Sequence, residues 1–229
     1  MTENKVKVLV VDDEPPIRRL LRVGLGAEGY TIVEATNGRT AIEQVRQEAP
    51  DLILLDLGLP DVEGHDLLEL WRRAGLDTPV VVLSSRTDEA GIVRALELGA
   101  DDYVTKPFGI GELSARIRVA LRHKLQQGGE RPVFVAGDLS VDLVKRIVKR
   151  GGVEVKLSPK EYDILRVLVA HAGKVLTHKH LLQQVWGGEA DVQYLRVYIR
   201  QLRQKLEPQP DHPVYITTEA GVGYRLREG

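Results

Sequence analysis

Through the first half of the chain, short apolar runs alternate five times with stretches whose apolar residues recur at three- and four-residue spacing. The short runs are Val6 to Val11, Thr31 to Ala35, Leu52 to Leu55, Val80 to Ser84 and Asp102 to Thr105. Their length and their Gly and Pro flanks predict strands. Between them, Ile17, Leu20, Leu21 and Leu25, then Ala41, Ile42 and Val45, then Leu67, Leu68 and Trp71 mark helices. Ile92, Val93, Leu96 and Leu98 mark a fourth, and Leu113, Ile117, Ala120 and Leu121 a fifth from about residue 111 to 125. Pro15 and Pro16 fit a first helical turn, and Gly29, Gly75 and Gly99 stand at helix stops. Alternation of this kind predicts an α/β fold, a parallel sheet of five strands covered by helices on both faces.

The pattern changes after residue 125. Gln126 to Pro132 has nothing apolar to bury and two adjacent glycines, so 1–125 is expected to be one domain, 126–132 a linker and 133–229 a second domain. In the second domain Val133 to Ala136, Leu139 to Leu143, Arg146 to Lys149 and Val153 to Leu157 predict a small antiparallel sheet. Ser158-Pro159-Lys160-Glu161 is a capping box with proline at the first helical position. Thr177 and Asp191 are placed to cap two more helices. The last has Leu195, Ile199, Leu202 and Leu206 as a buried stripe and Arg196, Arg200 and Arg203 beside it. Val214 to Thr217 and Tyr224 to Leu226, around Gly221 and Gly223, predict a closing hairpin.

Composition narrows the function classes. The 229 residues include no cysteine, which excludes disulfides and thiolate metal sites and fits a reducing cytosol. Residues 1–6 are polar, and no apolar run approaches the roughly 18 residues of a membrane helix, so a cytoplasmic protein without membrane insertion is expected. Residues 1–124 carry 16 basic and 21 acidic side chains and the remainder 16 and 12, giving −5 and +4. The basic half is the part suited to a polyanion.

Three of the strands end on chemistry. Val6 to Val11 runs into Asp12, Asp13 and Glu14, the Leu52 run into Asp56, and the Val80 run into Ser84 and Ser85. In an open parallel sheet, ligands sit beyond the carboxyl ends of the strands. Clustered carboxylates there repel one another unless a hard cation joins them, and Mg²⁺ takes a few carboxylates, waters and a phosphate oxygen. Lys106, at the end of the fifth strand, adds a cation suited to a phosphate oxygen.

Asp12-Asp13-Glu14, Asp56 with Leu59-Pro60-Asp61, Ser84, and Lys106-Pro107-Phe108, in this order, resemble the receiver domain of bacterial two-component response regulators. The second domain, with Gly173-Lys174-Val175-Leu176-Thr177, Leu202-Arg203-Gln204-Lys205-Leu206 and Gly221-Val222-Gly223-Tyr224-Arg225, resembles the winged helix-turn-helix of the OmpR/PhoB family. Val104 to Leu113 and the Trp186 segment are most similar to its KdpE type, which controls potassium-uptake genes.

The resemblance implies strand order 2-1-3-4-5. It implies Asp56 as phosphoacceptor for a sensor histidine kinase, with Asp12, Asp13, Asp56 and the Gly58 carbonyl around Mg²⁺. Ser84 and Lys106 donate to the phosphoryl group, the Lys106–Pro107 bond is cis, and Tyr103 turns inward as a switch. Arg196, Tyr198, Arg200, Gln201, Arg203 and Thr217 are the candidates for contact with double-stranded promoter DNA. Thr217-Thr218-Glu219-Ala220 stands where many relatives carry an arginine in the wing. RNA polymerase is a further implied partner. A phosphorylation-dependent homodimer would use Asp102 with Arg116 and Glu97 with Arg118, each crossing between subunits. With Ile at position 92, Glu112 is expected to lack its customary partner.

Other classes remain to be weighed. A Mg²⁺-dependent aspartyl-phosphate phosphotransferase would need an acid two residues after its nucleophile, where Gly58 stands. A dinucleotide enzyme would need a glycine-rich turn where Val11-Asp12-Asp13-Glu14-Pro15 stands. An adaptor receiver would lack DNA contact altogether. His171, His178, His180 and His212 have no partners at metal-ligand spacing and are read as ordinary histidines.

Overall fold

The computed structural model of the chain describes residues 4–85 and 89–229; the polar opening noted above lies outside this range at residues 1–3. The residues fall into two compact units, Lys5–Gly128 and Gly129–Gly229 with Asn4.

In the first unit, β1 (Lys7–Val11), β2 (Thr31–Ala35), β3 (Leu52–Asp56), β4 (Val80–Ser84) and β5 (Asp102–Thr105) form a parallel sheet in the order β2-β1-β3-β4-β5. All residues of β3 and β4 are buried, as continuous apolar runs between two helical layers must be. The helices are α1 (Pro15–Ala27), α2 (Gly38–Glu48), α3 (Gly64–Arg73), α4 (Glu89–Glu97) and α5 (Ile110–Gln127). α5 runs two residues past its expected end, so Gln126 and Gln127, read as linker, are helical. Glutamine is a good helix former, and the helix closes at Gly128, whose amide donates to Lys124 O (3.2 Å).

Two distant side chains hold this unit's loops. Asn37 caps α2 by accepting from Thr40 N (2.8 Å), and Asp61, from the loop after β3, accepts from Gly38 N (2.8 Å) and Arg39 N (3.0 Å). The Gly38 bond above all holds the Asp61 carboxyl below its ordinary pKa. At the opposite end of the sheet, Arg72 of α3 donates to Gly99 O from both Nε (3.0 Å) and Nη2 (2.9 Å). Its Nη1 donates to Leu76 O (2.7 Å) and Thr78 O (2.9 Å), and Nη2 also reaches Asp101 (3.2 Å). This one guanidinium fastens the end of α3, the start of β4 and the turn after α4.

The second unit opens with the antiparallel sheet β6 (Val133–Ala136), β7 (Leu139–Asp142), β8 (Ile147–Arg150) and β9 (Val153–Glu154). β8 begins one residue later than expected because Arg146 has φ 54° and belongs to the turn, where Asp142 accepts from Lys145 N (2.8 Å). Then come α6 (Pro159–Ala170), β10 (Val175–Thr177), α7 (His178–Trp186), α8 (Val192–Leu206), β11 (Ile216–Glu219) and β12 (Gly223–Leu226). The capping box at Ser158 and Glu161 forms, and Thr177 and Asp191 cap α7 and α8. Leu195, Ile199, Leu202 and Leu206 are all buried, each contributing about 1.5–3 kcal/mol relative to exposure.

The C-terminal strands also differ from expectation. β10 pairs with β12, making a three-stranded sheet β10-β12-β11 where a two-stranded hairpin is predicted. Gly223 lets these backbones approach: a Cβ there would lie 1.9 Å from Leu176 O. β11 starts at Ile216 instead of Val214 because the amides before it are bound elsewhere. The buried Glu207 carboxylate accepts from Val214 N (2.7 Å), Tyr215 N (3.0 Å) and Ile216 N (2.7 Å).

Candidate functional site

β1, β3 and β5 deliver Asp12 and Asp13, Asp56, and Lys106 to one edge of the parallel sheet. Asp12 is 1% exposed and Asp56 7%, while Asp13 is exposed; one carboxylate oxygen from each lies within 4.8 Å of the others. Lys106 Nζ donates to Asp12 Oδ2 (2.8 Å), Asp56 Oδ2 (3.0 Å) and Glu14 Oε1 (3.3 Å). Burial pushes the Asp12 carboxyl above its ordinary pKa, with Lys106 pulling the other way. Burial likewise opposes the Lys106 charge, but the bonds to Asp12 and Asp56 prevail and raise its pKa. A cation is thus held against two acids in a partly dry pocket.

The surrounding backbone fixes this geometry. Asp12 accepts from Glu14 N (2.8 Å) and Asp56 from Gly58 N (3.3 Å). The Lys106–Pro107 bond is cis, and Lys106 N donates to Ser84 O (2.8 Å). Ser84 is buried at the carboxyl end of β4, one strand from Asp56. Tyr103 is half-buried on β5, packed against the cluster of Leu57, Val82 and Ala95. The donor set of three carboxylates suits a hard divalent cation of the Mg²⁺ kind.

Two residues beside this pocket escape sequence reasoning. Gly64 begins α3 where a Cβ would lie 2.6 Å from Leu57 Cα and 2.7 Å from Asp56 O, so only glycine lets the helix approach the Asp56 backbone. His65 is buried, and its Nε2 donates to Gly91 O (3.3 Å), linking α3 to α4. Its three-residue spacing to Leu68 is the only signal that it faces inward.

On α5, Arg116 pairs within the chain with both Asp102 (2.9 Å) and Glu112 (3.0 Å). Glu112 thus has an intrachain partner one helical turn along on the same face, a different contact from the helix-four partner whose place Ile92 takes. Arg118 donates to Ser114 Oγ (2.7 Å), and Glu97 is exposed at the end of α4.

In the second unit the expected DNA contacts separate into two groups. Arg196, Arg200 and Gln201 are exposed on α8, and Arg196, Arg200 and Arg203 line an open cleft of about 680 Å³ with Pro210, Asp211 and Tyr224. Arg203 is in addition bonded to the hairpin: Nε donates to Ile216 O (2.9 Å) and Nη2 to Thr218 Oγ1 (2.7 Å), with its guanidinium 5.8 Å from the Tyr224 ring centre. Tyr198 is half-buried against Trp186, ring centres 5.7 Å apart. Thr217 Oγ1 donates across the hairpin to Arg225 O (3.4 Å). Helical periodicity gives these residues a direction but not the partner that captures them.

Comparison with known proteins follows the same division. Residues 8–118 match the response regulator receiver domain, and residues 152–226 match the C-terminal domain of transcriptional regulatory proteins. The chain is 46% identical to the transcriptional regulatory protein KdpE of Mycobacterium tuberculosis over 96% of this chain and 98% of that one. It is 47% identical, with the same coverage, to the KDP operon transcriptional regulatory protein KdpE of Escherichia coli. Among solved structures, a CheY-like response regulator receiver domain protein of Methanospirillum hungatei matches with TM-score 0.51 and 28% identity, over 53% of this chain and 98% of that chain.

Proposed function

Because this chain belongs to the OmpR/PhoB family of two-component response regulators and is of the KdpE type, we propose that Asp56 accepts a phosphoryl group from a sensor histidine kinase and thereby governs promoter binding by α8. The relatives named for the KDP operon support potassium-uptake genes as the targets. The observation that carries the phosphoacceptor reading is the Lys106 ammonium held within 3.0 Å of both Asp12 and Asp56 at the sheet's carboxyl edge.

An Asp56 carboxylate oxygen attacks phosphorus, the bond from phosphorus to the kinase histidine breaks, and the histidine nitrogen keeps the electron pair. Mg²⁺ held by Asp12, Asp13, Asp56 and the Gly58 carbonyl would neutralise charge on the phosphoryl oxygens. Lys106 is positioned to transfer its Asp56 hydrogen bond to one of those oxygens, and the Ser84 hydroxyl to donate to another. Drawing Ser84 toward Asp56 makes room for Tyr103 to turn further inward against Leu57 and Val82. Gly58, two residues after the nucleophile, offers no acid for rapid turnover, in keeping with a regulator instead of a phosphotransferase. Promoter DNA and RNA polymerase are its partners, and the cytoplasm its compartment. Among the described residues no helix is long and apolar enough to cross a membrane.

Phosphorylation promotes a homodimer through α4, β5 and α5, with Asp102, Arg116, Glu97 and Arg118 exchanging their partners across the two-fold axis. Exposed pairs contribute only about 0.2–1 kcal/mol each, doubled by symmetry, so Arg116→Ala is expected to weaken the phosphorylated dimer without abolishing it. Sedimentation decides the matter: an unchanged dimer in Arg116→Ala and Asp102→Ala places the contact on another surface.

DNA binding is expected in residues 129–229 alone, falling with salt as counterions leave the phosphates. Arg200→Ala should weaken binding and reduce the salt slope by about 0.9, the value for one phosphate contact. Arg203→Ala should also weaken binding but leave the slope unchanged, because Arg203 acts by holding the wing. Equal slope losses in the two variants would return Arg203 to the DNA surface.

A further inference from the structure

The row of α8 that points farthest from the domain core is not its arginine row. Buried Leu195, Ile199, Leu202 and Leu206 fix the inward direction, and at about 100° per residue the opposite direction falls between Val197, at the middle of the helix, and Gln204, near its end. Gln193 and Gln201 stand one turn before and after Val197, forming a ridge at i, i+4 and i+8. All three are exposed, Val197 to 53%. Arg196, Arg200 and Arg203 line the cleft beside Tyr224, and Arg203 is also bonded to the wing.

A helix in the major groove reads bases with the row that enters deepest, while its flanks lie against phosphates. The single apolar feature on the base edges of that groove is the thymine C5 methyl group. Glutamine suits adenine, donating to N7 and accepting from N6, whereas a guanine contact calls for arginine or lysine on the deepest row. The α8 ridge offers an apolar side chain between two glutamines. We propose that Val197 packs on a thymine methyl and that Gln193 and Gln201 bind adenine edges, so that this regulator selects A·T pairs at the centre of each half-site while Arg196 and Arg200 grip the phosphates. Adjacent ridge residues are about 6 Å apart, which spreads the three contacts over roughly four base pairs. The inference rests on the reading that α8 enters the major groove.

The test uses the full chain, treated with acetyl phosphate and Mg²⁺, on a duplex selected from a random pool. Each thymine of a half-site is replaced in turn by deoxyuridine, which removes only the methyl group. One replacement is expected to weaken wild-type binding by roughly three- to five-fold, the value of one buried methyl. Val197→Ala, at a half-exposed position that leaves the core intact, should bind more weakly and ignore that replacement. Similarly, 7-deazaadenine at a neighbouring position should weaken the wild type but not Gln193→Ala or Gln201→Ala. The proposal is overturned if every uridine duplex binds like the parent while scrambled duplex is still rejected, or if Val197→Ala retains the full penalty. Equal binding of selected and scrambled duplex would overturn the groove reading along with it.

Discussion

Incubated with acetyl phosphate and Mg²⁺, the chain is expected to take up one hydroxylamine-labile phosphoryl group, and Asp56→Asn none. The substitution is nearly isosteric, so the packing of the buried β3 survives. What it removes is the anionic oxygen that must attack phosphorus, together with one of the two negative charges closest to Lys106. A carboxamide is a far poorer nucleophile, so the effect is loss of labelling and not a modest slowing. The neighbouring acids do not substitute. Asp12 is held by Lys106 and the Glu14 amide, and Asp13 is exposed beyond the end of β1. Undiminished labelling of Asp56→Asn under these conditions would remove Asp56 from the role.

The second large effect is expected from Glu207→Ala, at a position with no part in either site. Glu207 is 1% exposed, and its carboxylate receives the amides of Val214, Tyr215 and Ile216. Removing it strands those donors, two of them on buried residues, at about 1–3 kcal/mol for each donor that water cannot reach. A loss of roughly 3–5 kcal/mol is therefore expected in urea unfolding of residues 129–229. Glu207→Gln keeps one acceptor oxygen and should lose less. A loss below about 1 kcal/mol for the alanine variant would mean that water or rearranged backbone satisfies the segment.

These two cases mark what could be read from the chain alone. The place of Asp56 is legible because the apolar run before it must be a buried strand, and its proposed role because Asp12, Ser84 and Lys106 end neighbouring strands in the expected order. The same holds for Ser158, Thr177 and Asp191, where capping chemistry is local to the helix it starts. Glu207 was hidden because its partners lie seven to nine residues ahead, in a segment whose apolar residues look like the beginning of a strand. Asp61 capping α2 and Arg72 reaching Gly99 join residues more than twenty positions apart, and periodicity carries no information across such a gap. β10 is too short, at three residues, to show alternation. Arg203 shows the same limit on the DNA-binding side: its helical direction was readable, but its capture by Ile216 O and Thr218 depends on where the hairpin folds back.

The Arg72 fastening also has a mechanical consequence. It grips the turn after α4 through two bonds to Gly99 O and one to Asp101, so that end of the helix is tied to α3. The nine residues of α4 make a lever about 13 Å long with its fulcrum at Gly99. A displacement of about 1 Å at its Glu89 end would then appear as a swing of about 4°. Near the moving end, the His65 bond to Gly91 O, at 3.3 Å, acts as a latch that such a swing must stretch.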